Sequence, residues 1–225
     1  MKFISKYPPN TWDWNQMSDA DFDGWATHNG VTFQLIDRWR LQNKFETVLD
    51  LGTGLGRNAR ALAQYGFTVH GLDIDPRPLR YARQVAEMDI FSNISYDLGD
   101  MLNMPYQDNS FDAVFADNVV YLTYYDAMCR AMSEIHRVLR PGGEVFVKLL
   151  KLDCDYFMDK KRVDSNSFKC QAQYGKHRVM ACGASYKDLS RVLTGFEILD
   201  MTGEVHGYRP ANYEMLILAR AIKTK

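Results

Sequence analysis

Residues 48–58 read Val48-Leu49-Asp50-Leu51-Gly52-Thr53-Gly54-Leu55-Gly56-Arg57-Asn58 and carry the strongest chemical signal in the chain. A short apolar run of this kind suits a buried strand. Its acid, Asp50, is followed by three glycines at alternate positions, which let the backbone turn sharply and approach a ligand with no Cβ in the way. A helix opening just beyond them aims unpaired N–H groups and the positive end of its dipole at the same place. This combination suits a nucleotide-like ligand. In the dinucleotide fingerprint G-x-G-x-x-G, the third glycine would fall at position 57. That position is Arg57, and the glycine comes one residue early, at Gly56. On these residues alone, a tight strand-to-helix turn with no ligand is the alternative.

Two further acids extend the pattern. Thr68 to Leu72 is short and β-prone and ends at Asp73. Asp73 follows Gly52 by about 20 residues, the distance at which βαβ folds place an acid on a ribose diol. A carboxylate can accept from both hydroxyls. Asp75, before Pro76, fits a helix cap better than Asp73 does. A third strand, residues 93–98, leads into Gly99-Asp100-Met101. An acid beside an apolar side chain there suits an exocyclic amine and an aromatic ring, as in adenine. A simple turn is the competing role for Asp100.

The elements that must position these residues alternate. Strands are expected at about 46–51, 68–72, 93–98, 110–116 and 144–149, with helices from Arg57 to Tyr65, Pro76 to Met88 and about 123 to 139. A helix near 19–42 precedes them. Met128, Met132, Ile135 and Leu139 form a stripe that reads as core. Alternating strands and helices imply parallel βαβ units with right-handed crossovers and ligands at the carboxyl ends of the strands. Residues 151–184 show no clean period. A helix at 186–193 and strands at 196–201 and 213–219 follow, and the short glycine-containing connection between the last two implies an antiparallel hairpin. The expected fold is therefore α/β: a Rossmann-like three-layer sandwich on a mostly parallel seven-stranded sheet with an antiparallel last strand.

The segments VLDLGTGLG at 48–56, VHGLDID at 69–75, LGDMLNMPYQDNSFDAVFA at 98–116 and EIHRVLRPGGEVFV at 134–147 together resemble the class I S-adenosylmethionine-dependent methyltransferases. The stretch Gly56-Arg57-Asn58-Ala59 is similar to small-molecule members such as the tellurite-resistance and thiopurine methyltransferases. The resemblance implies S-adenosyl-L-methionine as cofactor and residue roles to match. Gly52, Thr53, Gly54 and Gly56 would shape the loop under the methionine and ribose, and Asp50 would hold that loop and approach the methionine amino group. Asp73 would take the ribose hydroxyls with Ile74 against the adenine, and Asp100 and Met101 would flank the adenine. Asp117 would contact the methionine amino end, a helix cap being its other role. Nucleobase amine methylases often carry Asn/Asp-Pro-Pro-aromatic after the fourth strand, and Asp117-Asn118-Val119-Val120-Tyr121-Leu122 does not match that run.

The acceptor side is less defined. Tyr121 could line the acceptor pocket or pack in the core. Trp12, with Tyr7 and Trp14, could close over the cofactor or plug the outer sheet. His177 and His206 could act as general bases, against an ordinary surface role. No catalytic acid–base pair stands out, and in-line methyl transfer does not require one. The four cysteines, Cys129, Cys154, Cys170 and Cys182, lie far apart with no C-x-x-C pair, so reduced thiols and no metal site are expected.

At 225 residues the chain is expected to form one domain, with an N-terminal helical and aromatic lid at 1–44, a cofactor-binding core at 45–150, a variable substrate cap at 151–184 and a final helix and hairpin at 185–225. A net charge of −1 gives no field that favours nucleic acid, and no stretch is long and apolar enough to span a bilayer. The start of the chain lacks a signal-peptide pattern. The expectation is a cytoplasmic enzyme with a small-molecule acceptor. A silent cofactor-binding sensor and an NAD-dependent oxidoreductase are the competing functions, the latter opposed by Arg57 and by the terminal hairpin.

Overall fold

The computed structural model describes residues 35–88, 91–150, 161–170, 178–181, 186–205 and 213–223. Trp12, Trp14, Tyr7, His177 and His206 lie outside the described residues, as does most of the helix expected at 19–42. The first described element is a short, wide helical segment, α1 (Asp37–Gln42). It is followed by β1 (Thr47–Leu51), α2 (Arg57–Gln64), β2 (Thr68–Asp73), α3 (Pro76–Met88), β3 (Ile94–Leu98), β4 (Phe111–Ala116), α4 (Tyr125–Val138) and β5 (Leu139–Leu150). Three short strands come next: β6 (Lys161–Arg162), β7 (Ser167–Cys170) and β8 (Arg178–Ala181). The chain continues through α5 (Tyr186–Val192), β9 (Phe196–Val205) and β10 (Tyr213–Ala221).

The main sheet has seven strands in the order β3-β2-β1-β4-β5-β10-β9. The pairs β3–β2, β2–β1, β1–β4 and β4–β5 are parallel, and β10 runs antiparallel to both β5 and β9. The expected sheet and its antiparallel end are both present. The strand order reverses between β1 and β4, so the crevice of the sheet opens at the carboxyl ends of those two strands.

Strand alternation builds the layers. Val48, Val69, Ala113, Phe115 and Phe146 face the side covered by Trp39 of α1, Leu62 of α2 and Leu79 of α3. Leu49, Val114, Val145, Val147 and Leu149 face Met128, Met132 and Ile135 of α4. The methionine stripe is core, as its period implies. Helix α2 is alanine-rich, a strong local preference. It stops at Gly66, whose φ of 87° admits the left-handed turn, while its N–H donates to the Ala63 carbonyl at 2.9 Å.

The three-stranded sheet β6-β7-β8 occupies the stretch where the sequence shows no period. Its anchor is tertiary. Ser167 Oγ accepts the N–H of Tyr125 at 2.8 Å, so a residue 42 positions downstream caps the start of α4. The N–H of Ala181 donates to the Tyr121 carbonyl at 2.8 Å, and Phe168 and Met180 join the α4-side core.

Glu144, on β5, ties the N-terminal helix to the sheet. It is fully buried and accepts Arg38 Nε and Nη2 at 2.7 Å each, Trp39 Nε1 at 3.1 Å and Arg220 Nη2 at 3.3 Å. Burial alone would raise its pKa, but the Arg38 and Arg220 partners outweigh this and hold the carboxyl below its ordinary 4.5. A depressed folded-state pKa adds stability above the unfolded value that is lost as pH falls through the folded one. Glu144→Gln is expected to cost about 2–3 kcal/mol near neutral pH in urea denaturation, because the two arginines lose a charged partner. That gap to the parent chain should close as pH falls below 4.5.

Candidate functional site

The turn from β1 into α2 is held in a conformation that glycine alone adopts without strain. Gly52, Gly54 and Gly56 have φ of 69°, 54° and 77°. A Cβ on Gly52 would stand 2.5 Å from Val119 Cγ2, and one on Gly56 would stand 2.4 Å from the Tyr96 hydroxyl oxygen. The loop is stitched to the end of β2. The N–H groups of Gly52 and Thr53 donate to the Leu72 carbonyl at 2.8 and 3.1 Å, and that of Gly54 donates to Asp73 Oδ2 at 2.9 Å.

Along the carboxyl edge of the sheet, the sequence-predicted acids stand in one line. The order is Asp100 after β3, Asp73 at the end of β2, the glycine loop after β1 and Asp117 after β4, following the strand order. Asp100 Oδ1 accepts the N–H of Leu102 at 2.9 Å, and half-buried Met101 packs against the α4-side core. Asp73 Oδ1 accepts the N–H of Asp75 at 2.9 Å while Oδ2 holds the loop. Burial pushes the Asp73 carboxyl above its ordinary value, against the N–H groups it accepts. Ile74 follows it, half-buried. Asp75 takes the cap position before α3, its Oδ1 accepting the N–H of Arg77 at 2.9 Å.

Asp50 lies in the middle of the sheet, opposite Gly71 on one side and Phe115 on the other. It is 1% exposed and accepts the Thr53 hydroxyl at 2.6 Å. Burial pushes it up to about 7, opposed by the Thr53 hydroxyl and the Arg57 charge and reinforced by Asp117. Asp117 is buried and does not act as a side-chain cap: α4 begins eight residues later. Its Oδ2 meets Arg57 Nη2 at 3.1 Å and its Oδ1 meets Lys148 Nζ at 3.1 Å. Asp50, Thr53, Arg57, Asp117 and Lys148 thus form one charged cluster. Tyr121 is 5% exposed within the core, and its hydroxyl donates to Asn118 Oδ1 at 2.7 Å.

Four contributors were not read from the sequence as site residues. Lys148 is the single cation in the apolar run Val145 to Leu150, a visible signal. Arg57 counted as a departure from a fingerprint and as part of the stretch Gly56-Arg57-Asn58-Ala59, with no role of its own. Tyr96 underlies the loop through a contact made two strands away, and Asn118 has a left-handed φ of 55°, for which no local pattern prepares. No group of three or more metal-binding side chains occurs among the described residues.

Two expected outcomes test this geometry. Gly56→Ala should cost about 1–3 kcal/mol in urea denaturation, from the left-handed backbone and the contact with Tyr96. Adding Tyr96→Phe should recover part of it. Asp50 has a raised folded-state pKa, so the stability linked to it is complete below the ordinary 3.8 and is lost as pH rises to about 7. Asp50→Asn, which can still accept from Thr53, should therefore gain stability relative to the parent chain as pH rises from 4 to 8, followed by thermal melting.

Comparison with known proteins agrees with this architecture. Residues 49–147 match the methyltransferase domain family model. Over 148 residues the chain is 28% identical to phosphoethanolamine N-methyltransferase 2 of Caenorhabditis elegans, covering 61% of this chain and 33% of that protein. Over 120 residues it is 37% identical to methyltransferase GfsG of Streptomyces halstedii, covering 52% of this chain and 42% of that protein. The chain thus spans less than half the length of these relatives. A SAM-dependent methyltransferase structure from Methanosarcina mazei superposes with a TM-score of 0.70 at 19% identity, covering 88% of this chain and all of that one. Residues 49–147 thus match the methyltransferase domain family, and the chain, with its glycine loop and antiparallel-ended sheet, shares the fold of an S-adenosylmethionine-dependent methyltransferase of known structure.

Proposed function

We propose that the chain transfers the methyl group of S-adenosyl-L-methionine to a small-molecule acceptor. The observation that carries this reading is the order of polar groups along the carboxyl edge: Asp100, Asp73, glycine loop, Asp117. It parallels the order of the cofactor's own parts: adenine, ribose and amino acid. Asp73 accepts one N–H group on each oxygen, and the remaining lone pairs of the carboxylate are left to accept the ribose hydroxyls while the loop stays held. Asp100 and Met101 would flank the adenine, with Ile74 on its other side, and Gly52, Thr53, Gly54 and Gly56 would let the backbone lie under the ribose and the amino acid.

The bound cofactor supplies an activated methyl on a sulfonium. The protein's part is to hold that methyl and the acceptor atom in line and to exclude water. The segment from Asp117 to Tyr121, with the small sheet β6-β7-β8 docked on it, is the natural wall for the acceptor, and Trp12 and His177 are candidates to complete it. A net charge of −1 and a relative named for phosphoethanolamine favour a metabolite over a nucleic acid. No described helix is long and apolar enough to cross a membrane.

The test has two stages. Calorimetry should show saturable binding of S-adenosylhomocysteine, and Asp73→Ala should weaken it by about tenfold or more through loss of the charged ribose contact. With S-adenosylmethionine supplied, a panel of amines, thiols, phenols and metalloids should then yield an acceptor that becomes methylated as the donor is converted to S-adenosylhomocysteine. Absence of binding overturns the cofactor assignment, and binding without turnover on any acceptor points to a silent sensor domain.

A further inference from the structure

Resting on the methyl-transfer reading, we infer that the acceptor carries a phosphate monoester, and that Lys161 and Lys169, side by side on the small sheet, hold it and set the choice of acceptor.

Charge is unevenly spread along this chain. From the first residue of β6 to the last of β8, residues 161–181 hold five lysines and arginines against one acid, Asp164. The stretch therefore carries a net +4 in a chain whose total is −1. The acids of the candidate site lie elsewhere, along the carboxyl edge of the main sheet at Asp100, Asp73, Asp50 and Asp117. A near-neutral total thus combines a basic small sheet with an acidic edge.

Register puts two of these cations together. Strand β6 pairs antiparallel with β7, and Lys161 stands directly opposite Lys169. Both are exposed. Directly opposed side chains stand about 5 Å apart at Cβ, and like charges there are destabilising. Strand β6 is two residues long, so a repulsive pair occupies half of its register. The neighbouring cation has a packing role. The Arg162 guanidinium lies 5.2 Å from the centre of the Phe168 ring, on the face whose Phe168 and Met180 enter the core. Among the described residues, neither lysine stacks on a ring or pairs with a carboxylate.

Strand alternation fixes where the pair faces. Lys169 lies two residues from Ser167 and shares its face of β7. That face docks on the segment after β4. Ser167 Oγ accepts the N–H of Tyr125 at 2.8 Å, and Ser167 and its cross-strand partner Ala181 are both fully buried. Two residues of strand span about 7 Å. The lysine pair therefore stands one step outward from residues 121–125, on the face of β7 that meets them. That segment borders the wall proposed for the acceptor. A tetrahedral dianion offers several oxygens to two adjacent ammonium groups and relieves the repulsion between them. An acceptor seated against the wall and reaching outward would place its phosphate on this pair.

The experiment is calorimetry on the full chain saturated with S-adenosylhomocysteine. The probes are two matched pairs, ethanolamine with O-phosphoethanolamine and phenol with phenyl phosphate. The phosphate-bearing member of at least one pair should bind about tenfold or more tighter. Lys161→Met/Lys169→Met should bring that preference within about twofold and leave the Kd of S-adenosylhomocysteine within about twofold. Lys169→Glu places an acid opposite Lys161, so it should hold or raise the thermal midpoint while abolishing the preference. A purely structural role for the pair would not give that split. Equal binding within both pairs, or a preference that survives the double variant, overturns the inference and leaves the cofactor assignment standing. Cosedimentation with phosphatidylglycerol vesicles that the double variant loses, with no monoester preference in the parent chain, makes the face a membrane contact and also overturns it. A parent chain that does not bind S-adenosylhomocysteine overturns both readings.

Discussion

The structure depends on one close approach. Between β1 and α2 the backbone passes so near its neighbours that a single Cβ would collide with Val119 at Gly52 or with Tyr96 at Gly56. Glycine permits both the left-handed φ and the contact. The partners come from elsewhere in the chain: Leu72 and Asp73 from β2, Tyr96 from β3 and Val119 from the loop after β4. The loop's shape is therefore not a local property of its glycines. It is fixed by three strands that must be in register before it can close, and it in turn fixes where α2 begins and where Arg57 points.

Strand β5 is the second organising feature, because it carries two buried charges. Glu144, midway along it, gathers Arg38, Trp39 and Arg220, which holds α1 and β10 to the sheet. Lys148, four residues on, meets Asp117 at the ligand edge. Each charge costs desolvation, and each is matched by direct opposite charge. The Glu144 cluster lies at the amino end of a parallel sheet, away from the ligand crevice, so its role is attachment. The Asp117 cluster lies at the carboxyl end, where ligands of such sheets bind.

Much of this was legible in the sequence. The core from β1 to β5 showed itself because each strand is a short apolar run and each helix carries a 3.6-residue stripe, and the antiparallel end followed from a connection too short for a crossover. The small sheet β6-β7-β8 did not show itself, since strands of two to four residues such as Lys161–Arg162 and Arg178–Ala181 are too short to display a period. It forms because Ser167 caps α4 and because Phe168 and Met180 find places in an existing core. The cap role open to Asp117 gave way to ion pairing for a similar reason: its partners lie 60 residues before it, at Arg57, and on the neighbouring strand, at Lys148.

The sequence by itself determined the class of site. Residue types and separations along the chain marked the strand ends that carry Gly52, Gly54 and Gly56, then Asp73, then Asp100, because where a strand stops and a helix starts follows from local pattern. Only the tertiary structure decided which groups meet. Arg57 departs from a fingerprint, and Lys148 is one cation in an apolar strand. Parallel register brings them to the two oxygens of one carboxylate. Proximity between residues 57, 117 and 148 is a property of the sheet's strand order and pairing, and no local period encodes it.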